Sequence, residues 1–167
     1  MQNKGQLRLF LVAAASIIIL DQVTKLWVSR NLALSSSPWE NFLNLVYVKN
    51  YGLVFGLLPG QVSLLIAAAI AVLIIILLAR HYLSSKTALG NVSLGLLFGG
   101  ATGNLIDRVR IGYVVDFIDL RLWDDFHWPA FNFGDAAIVA GIILFIYSLY
   151  RTGLFARVYH HGRTSED

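Results

Sequence analysis

Apolar residues run along this chain in four long blocks, with most of the polar residues gathered at the block ends and between them. A bilayer core takes about 20 mostly apolar residues in one helical crossing. Windows of that kind lie at roughly Leu7 to Trp27, Val62 to Leu78, Leu89 to Ile106 and Phe131 to Tyr150, which predicts four transmembrane helices within one membrane-embedded domain, residues 1–167. Lys4 and Arg8 ahead of the first block give it the outline of a cleaved leader. No small-residue cleavage site follows Leu20, however, and Asp21, Gln22 and Lys25 continue the segment, so an uncleaved anchor is predicted.

An even number of crossings puts both termini on one side and residues 29–61 and 109–130 together on the other. Both connecting regions contain strand-like stretches, Phe42 to Val48 and Tyr113 to Leu120, rich in β-branched and aromatic residues. Trp27, Trp39, Trp123 and Trp128 all fall on this side, as expected of aromatics at a membrane surface, so the loops are read as lying on the bilayer.

Composition agrees: 57% of residues are hydrophobic and 14% charged, too apolar for an ordinary soluble domain. With no cysteine there can be no disulfide, thiol nucleophile or thiolate metal site. The net charge of +3 comes from singly scattered Lys and Arg, which form no basic face for nucleic acid. Basic residues are divided almost evenly between the two sides. Because several on the loop side stand at helix ends where partners are available, the positive-inside rule leans toward cytoplasmic termini.

An ionisable side chain at membrane depth costs about 2.5 to 3.5 kcal/mol on insertion scales, so each needs a reason. Asp21 and Lys25 close the first block, Asn104, Asp107 and Arg108 close the third, and Asn132 and Asp135 open the fourth. All meet at one level beneath the two loops. Simpler readings stand beside a functional one: Asp21 and Lys25, at i,i+4, can neutralise one another. Asp107 and Arg108 can form a helix-end ion pair, and Asn132 can cap the fourth helix with Asp135 at its third position. Gly95, Gly99 and Gly103 place a smooth stripe on the third helix, suited to an internal neighbour or to a second copy of the chain, with the internal partner preferred.

Asp116, between Val115 and Phe117, has an apolar setting that favours its protonated form, whereas a helix start at Asp135 favours the charged one. Two carboxylates tuned apart in this way can share one proton and hydrolyse a peptide bond as an acid/base pair. Asp119, Asp124 and Asp125 are read as a solvated loop face, near Arg121 and His127. Other hydrolytic designs fit less well. The nucleophile-elbow motif is absent, a Ser/Lys dyad would have to draw Lys25 toward Ser29 or Ser35 to Ser37, and no His spacing matches a metal-binding motif.

Five motifs then make a specific pattern: Asp21-Gln22-x-x-Lys25, Asn50-x-Gly52-x-x-Phe55, Gly99-Gly100-Ala101-x-Gly103-Asn104-x-Ile106-Asp107-Arg108, Val114-Val115-Asp116-Phe117 and Phe131-Asn132-x-x-Asp135. In order and spacing the chain resembles the lipoprotein signal peptidases (signal peptidase II). The resemblance implies a four-helix membrane endopeptidase with a small periplasmic β-cradle and a helical lid. It implies a diacylglyceryl-modified prolipoprotein as substrate, cut just before the lipidated Cys, and inhibition by globomycin. It assigns Asp116 and Asp135 as the catalytic dyad, Asn50, Asn104, Arg108 and Asn132 as substrate-binding, and Asp21, Lys25, Asp107, Gly52 and Phe55 as supporting positions. The implied setting is the bacterial inner membrane, with cytoplasmic termini and the site at the outer face. Leu53-Val54 and Gly56 in the lid motif, and Gly134 before the second Asp, depart from the usual pattern in bulk only.

The resulting expectation is an all-α integral membrane bundle with a minor β element, acting as a monomer on a lipid-anchored protein. No metal, nucleotide or other cofactor is required. An ion-coupled transporter, the rival of a different class, would spread its charges through midplane depth instead of gathering them at one end. An inert assembly protein built on the Gly stripe leaves Asp116 and Asp135 unexplained.

Overall fold

A computed structural model describes residues 4–32, 42–52, 60–84, 87–123 and 126–152. Its helices are α1 (Lys4–Asn31), α2 (Val62–Ala79), α3 (Ala88–Ile111) and α4 (Phe133–Arg151), and α2 closes in a π-type turn, Arg80–Ser84. All four are long and apolar enough to cross a membrane. α3 is the central one: half of its most apolar window is buried, against 22% for α1 and α4 and 11% for α2. Val12, Ile19 and Val23 on α1, Ile75 on α2 and Val139 and Ile143 on α4 are exposed large side chains, as a lipid-facing surface requires.

The glycines set how closely the helices approach. A Cβ placed on Gly95 or Gly99 would run into the α1 backbone at Phe10 or Ala14, and one on Gly103 would run into the Asp21 carboxylate. On the other flank of α3, a Cβ on Gly100 would press on the Gly134 carbonyl of α4. The stripe therefore serves helix packing within the chain, and α1, α3 and α4 form a tight trio because of it.

Three strands, β1 (Leu43–Asn50), β2 (Val114–Trp123) and β3 (Phe126–Phe131), form one antiparallel sheet in the order β1-β2-β3. Gly112 makes the junction with α3: it stands at φ 80° past the helix end, and its N–H closes on the Arg108 carbonyl at 3.2 Å. A residue with a side chain is strained there, and β2 starts two positions later. Val115 and Phe117 bury against Val28 of α1, which seats the sheet on the end of the bundle. In register, Val48 opposes Asp116 and Asn50 opposes Val114.

Several sequence boundaries shift. α1 extends past 7–27 in both directions, to Lys4 and Asn31, and it carries Asp21, Gln22 and Lys25 inside the helix with partners within the bundle. α2 continues beyond Leu78, and α3 runs past Ile106 through Asp107, Arg108 and Arg110. Phe131 belongs to β3, not to the fourth span, which starts at Phe133. β3 has no counterpart in the sequence reading. Its Pro129 breaks the strand pattern and is accommodated because β3 is an edge strand. Phe55 and the rest of the lid motif after Gly52 lie outside the described residues, as do Ser35 to Ser37, Asp124 and Asp125.

Candidate active site

The local folding of four segments brings the site together. Asn132 precedes α4 in extended conformation, and its Oδ1 accepts from the Asp135 N–H at 2.9 Å while Asp135 Oδ2 accepts from the Asn132 N–H at 3.1 Å. This reciprocal capping box satisfies two of the orphan donors at the helix start. It also fixes the Asp135 carboxylate. The remaining Asp135 oxygen, Oδ1, accepts from Asn104 Nδ2 at 2.8 Å.

Asp116 comes from β2 and is 2% exposed. Its Oδ1 accepts from Asn132 Nδ2 at 2.7 Å and its Oδ2 from Asn50 Nδ2 at 2.8 Å, Asn50 being the last residue of β1. One residue, Asn132, thus touches both carboxylates while it caps α4. Burial pushes Asp116 from its ordinary 3.8 up to about 7, helped by the charge of Asp135 and opposed by the two amide donors.

Beneath this pair, Lys25 Nζ lies 2.8 Å from Asp21 Oδ2, 3.1 Å from Asp107 Oδ2 and 2.8 Å from Asn104 Oδ1, with Lys25, Asp21 and Asp107 all buried. Asp21 and Lys25 do neutralise one another, but as part of a larger cluster. Asp107 pairs with Lys25 and not with its neighbour Arg108, because the turn of α3 aims the two side chains apart. Arg108 Nη2 instead donates to the Gly52 carbonyl at 3.0 Å, and Gly52 N–H donates to Asn50 Oδ1 at 3.0 Å. The cluster also pins backbone: Val115 N–H donates to Asp107 Oδ2 at 3.1 Å, and Gly134 N–H to Asp21 Oδ1 at 2.9 Å. Each dyad candidate therefore follows a residue whose N–H is held by a buried carboxylate.

All the described site residues of the sequence reading converge here, and Phe55 alone lies outside the description. Two side chains carry more than the reading gave them. Gln22 bridges α1 to α3 through the Gly103 carbonyl at 3.1 Å and Asp107 Oδ1 at 3.0 Å, a role signalled by its spacing three residues before Lys25. Asp119 is no solvated loop residue: it is 5% exposed and accepts from Asn44 at 3.4 Å, because β1 and β2 place the two directly opposite. A crevice of about 120 Å³ runs along Lys25, Ser29, Tyr47, Asp107 and Tyr113. Neither Asp116 nor Asp135 lines it, so it backs the site. Ser29 Oγ bonds the Leu26 carbonyl at 3.0 Å, and Lys25 is fully engaged, which removes that Ser/Lys alternative. Among the described residues no group of three or more His, Asp or Glu is placed to hold a metal ion.

A family model described as signal peptidase (SPase) II matches residues 13–151. The chain is 42% identical over 142 residues to the lipoprotein signal peptidase of Moorella thermoacetica, covering 84% of this chain and 91% of that protein. It is 39% identical over 156 residues to the lipoprotein signal peptidase of Syntrophotalea carbinolica, covering 90% and 96%. A solved bacterial membrane enzyme, determined by the in meso method at 2.3 Å, superposes with a TM-score of 0.74 at 32% identity, covering 85% of this chain and 87% of that one. The match runs from α1 through α4 and takes in every carboxylate of the buried cluster, and on it the chain belongs to the signal peptidase II family, the aspartic peptidases of family A8.

Proposed function

We propose that this chain removes signal peptides from prolipoproteins by aspartyl acid/base catalysis, with Asp116 and Asp135 as the dyad. The observation that carries the assignment is the single Asn132 bridge: it ties a β2 carboxylate to a carboxylate at the start of α4, and the donors on both come from Asn50, Asn104 and Asn132. Asp116, pushed up to about 7, keeps its proton in a large share of molecules at neutral pH and serves as the acid, and Asp135 acts as the base. Asp135 takes a proton from water as the water oxygen bonds to the scissile carbonyl carbon. Asp116 gives its proton to the carbonyl oxygen, and collapse of the tetrahedral intermediate breaks the C–N bond as the amine leaves protonated. Neither metal nor nucleotide takes part.

The substrate carries diacylglycerol on the Cys that follows the cut. The dyad lies where the spanning helices give way to the sheet, so a lipid anchored in the bilayer holds the peptide bond at the height of the carboxylates. Arg108 holds Gly52 beside the site through its carbonyl, and the family resemblance gives Phe55 a supporting position. The enzyme works as a monomer in the bacterial inner membrane, termini cytoplasmic and site outward, consistent with the lean in its basic residues. The test uses purified enzyme in proteoliposomes, offered diacylglyceryl-modified and unmodified prolipoprotein, with product masses read directly. The modified form should be cut just before the lipidated Cys, and the unmodified form at least tenfold more slowly by roughly the loss of one positioning interaction. Equal rates would contradict positioning by the bilayer, and no product from the lipidated form would contradict the function.

A further inference from the structure

A carboxamide has a carbonyl end and an amine end of nearly equal size, so its orientation beside a carboxylate decides whether it supports or opposes the negative charge. Around the dyad, each of the Asn carbonyls is committed to a donor that cannot reverse. Asn132 Oδ1 is taken by the Asp135 N–H at 2.9 Å and Asn50 Oδ1 by the Gly52 N–H at 3.0 Å. Both are backbone groups, which the fold itself supplies. Asn104 is different. Its Oδ1 is held by Lys25 Nζ at 2.8 Å, with Asn132 Nδ2 at 3.1 Å, and only then is its Nδ2 left to face Asp135 Oδ1 at 2.8 Å.

We infer that Lys25 is a positioning residue for the reaction, acting through Asn104: its ammonium sets the direction of the Asn104 amide and thereby presents a donor to Asp135. An ammonium has three hydrogens and no lone pair, so it can be met only by the oxygen end. Its other two hydrogens are spent on Asp21 and Asp107, which holds Nζ in place across α1 and α3. The contact is desolvated, Lys25 being 3% exposed and Asn104 7%, so the preference is not diluted by water. Without Lys25, only Asn132 Nδ2 opposes a flip that would put the Asn104 oxygen against the Asp135 carboxylate. This inference rests on the proposed dyad and deepens it.

A double-mutant cycle separates this role from plain scaffolding. Lys25→Met should lower kcat about 100-fold, the order expected for a mispositioned reacting group, while KM for the lipidated prolipoprotein stays within about twofold. In an Asn104→Ala background the same change should lower kcat by less than about twofold further, because the group it orients is already gone. Lys25→Arg, which keeps a cation and donors, should recover at least about tenfold of the Met loss. Equal losses in both backgrounds, or a folded Lys25→Met enzyme with normal kcat, would overturn the inference. If Lys25→Met does not fold, the Arg variant decides: it should lose kcat, with normal KM, only where Asn104 is present, and equal losses in both backgrounds would again count against the role. Asp116→Asn run alongside keeps the two readings apart. Inactive and folded Asp116→Asn with an additive cycle defeats only the Lys25 role, whereas active Asp116→Asn defeats the dyad itself.

Discussion

The two ends of α3 both bury polar side chains at membrane depth, yet they are built differently. At its start, Asn91 and Ser93 have no exposure, and Asn91 Nδ2 donates to Gln6 Oε1 at 3.0 Å and to the Thr87 carbonyl at 2.9 Å. Thr87 and Ser148 hydroxyls meet at 3.1 Å. These are neutral links that join α1, α3 and α4. The nearby cation, Arg80, stands over the Phe10 ring at 5.1 Å. At the other end, Lys25, Asp21 and Asp107 form a buried ion cluster, and beyond it the Asp116 and Asp135 carboxylates each accept from two amide or backbone donors. Neutral polar glue needs only one satisfied bond per group. Buried carboxylates surrounded by donors, with an ordered cation one residue away, are the arrangement that the proposed acid/base chemistry needs.

Truncation should separate the ends most sharply. Asn132→Ala removes the donor to Asp116 and the cap on Asp135 together, so kcat should fall about 100- to 1,000-fold, measured on the lipidated substrate with KM followed in parallel. A loss under tenfold would mean that the bridge is only a helix cap. A second test uses pH. Asp116 is pushed up to about 7, so the folded protein keeps that proton above the pH at which the unfolded chain releases it. The contribution of Asp116 to stability is then greatest below the unfolded value of 3.8 and is lost as pH rises toward 7. Turnover should fall through the same upper range as the acid is lost, by up to about tenfold per pH unit. Thermal denaturation at pH 5 and pH 8, and the alkaline limb of kcat, check both signs, and Asp116→Asn should flatten the stability difference. The smallest effect belongs to the neutral end. Asn91→Ala should cost about 1 to 3 kcal/mol of stability and leave kcat within about twofold. A catalytic loss there would erase the distinction between the two ends.

How much of this was legible follows from the kind of signal each feature carries. Apolar length alone identified the four crossings, because a bilayer imposes it on every helix. Their ends were drawn short where polar residues stand at the helix flanks: α1 runs on past Trp27 to Asn31, and α3 runs past Ile106 through Asp107, Arg108 and Arg110. β3 was invisible because edge pairing rescues a Pro-containing stretch that no local rule favours. The spacing of Asn132 and Asp135 foretold the capping box, a local motif. It could not foretell that the free amine end of Asn132 would reach Asp116, since β2 had first to be fixed by the Asp107 bond to Val115. Asp119 was misread for the same reason, its burial being a property of strand register.

The central claim is that Asp116 and Asp135 share one proton and carry the chemistry together. The most direct measurement purifies Asp116→Asn and Asp135→Asn in detergent, checks by thermal denaturation that each folds, and measures binding and cleavage of lipidated prolipoprotein. Asn keeps the shape of Asp but cannot pass the proton, so each variant should bind the intact substrate and lose about 1,000-fold or more in turnover. A well-folded variant of either residue that cleaves at near wild-type rate would contradict the account.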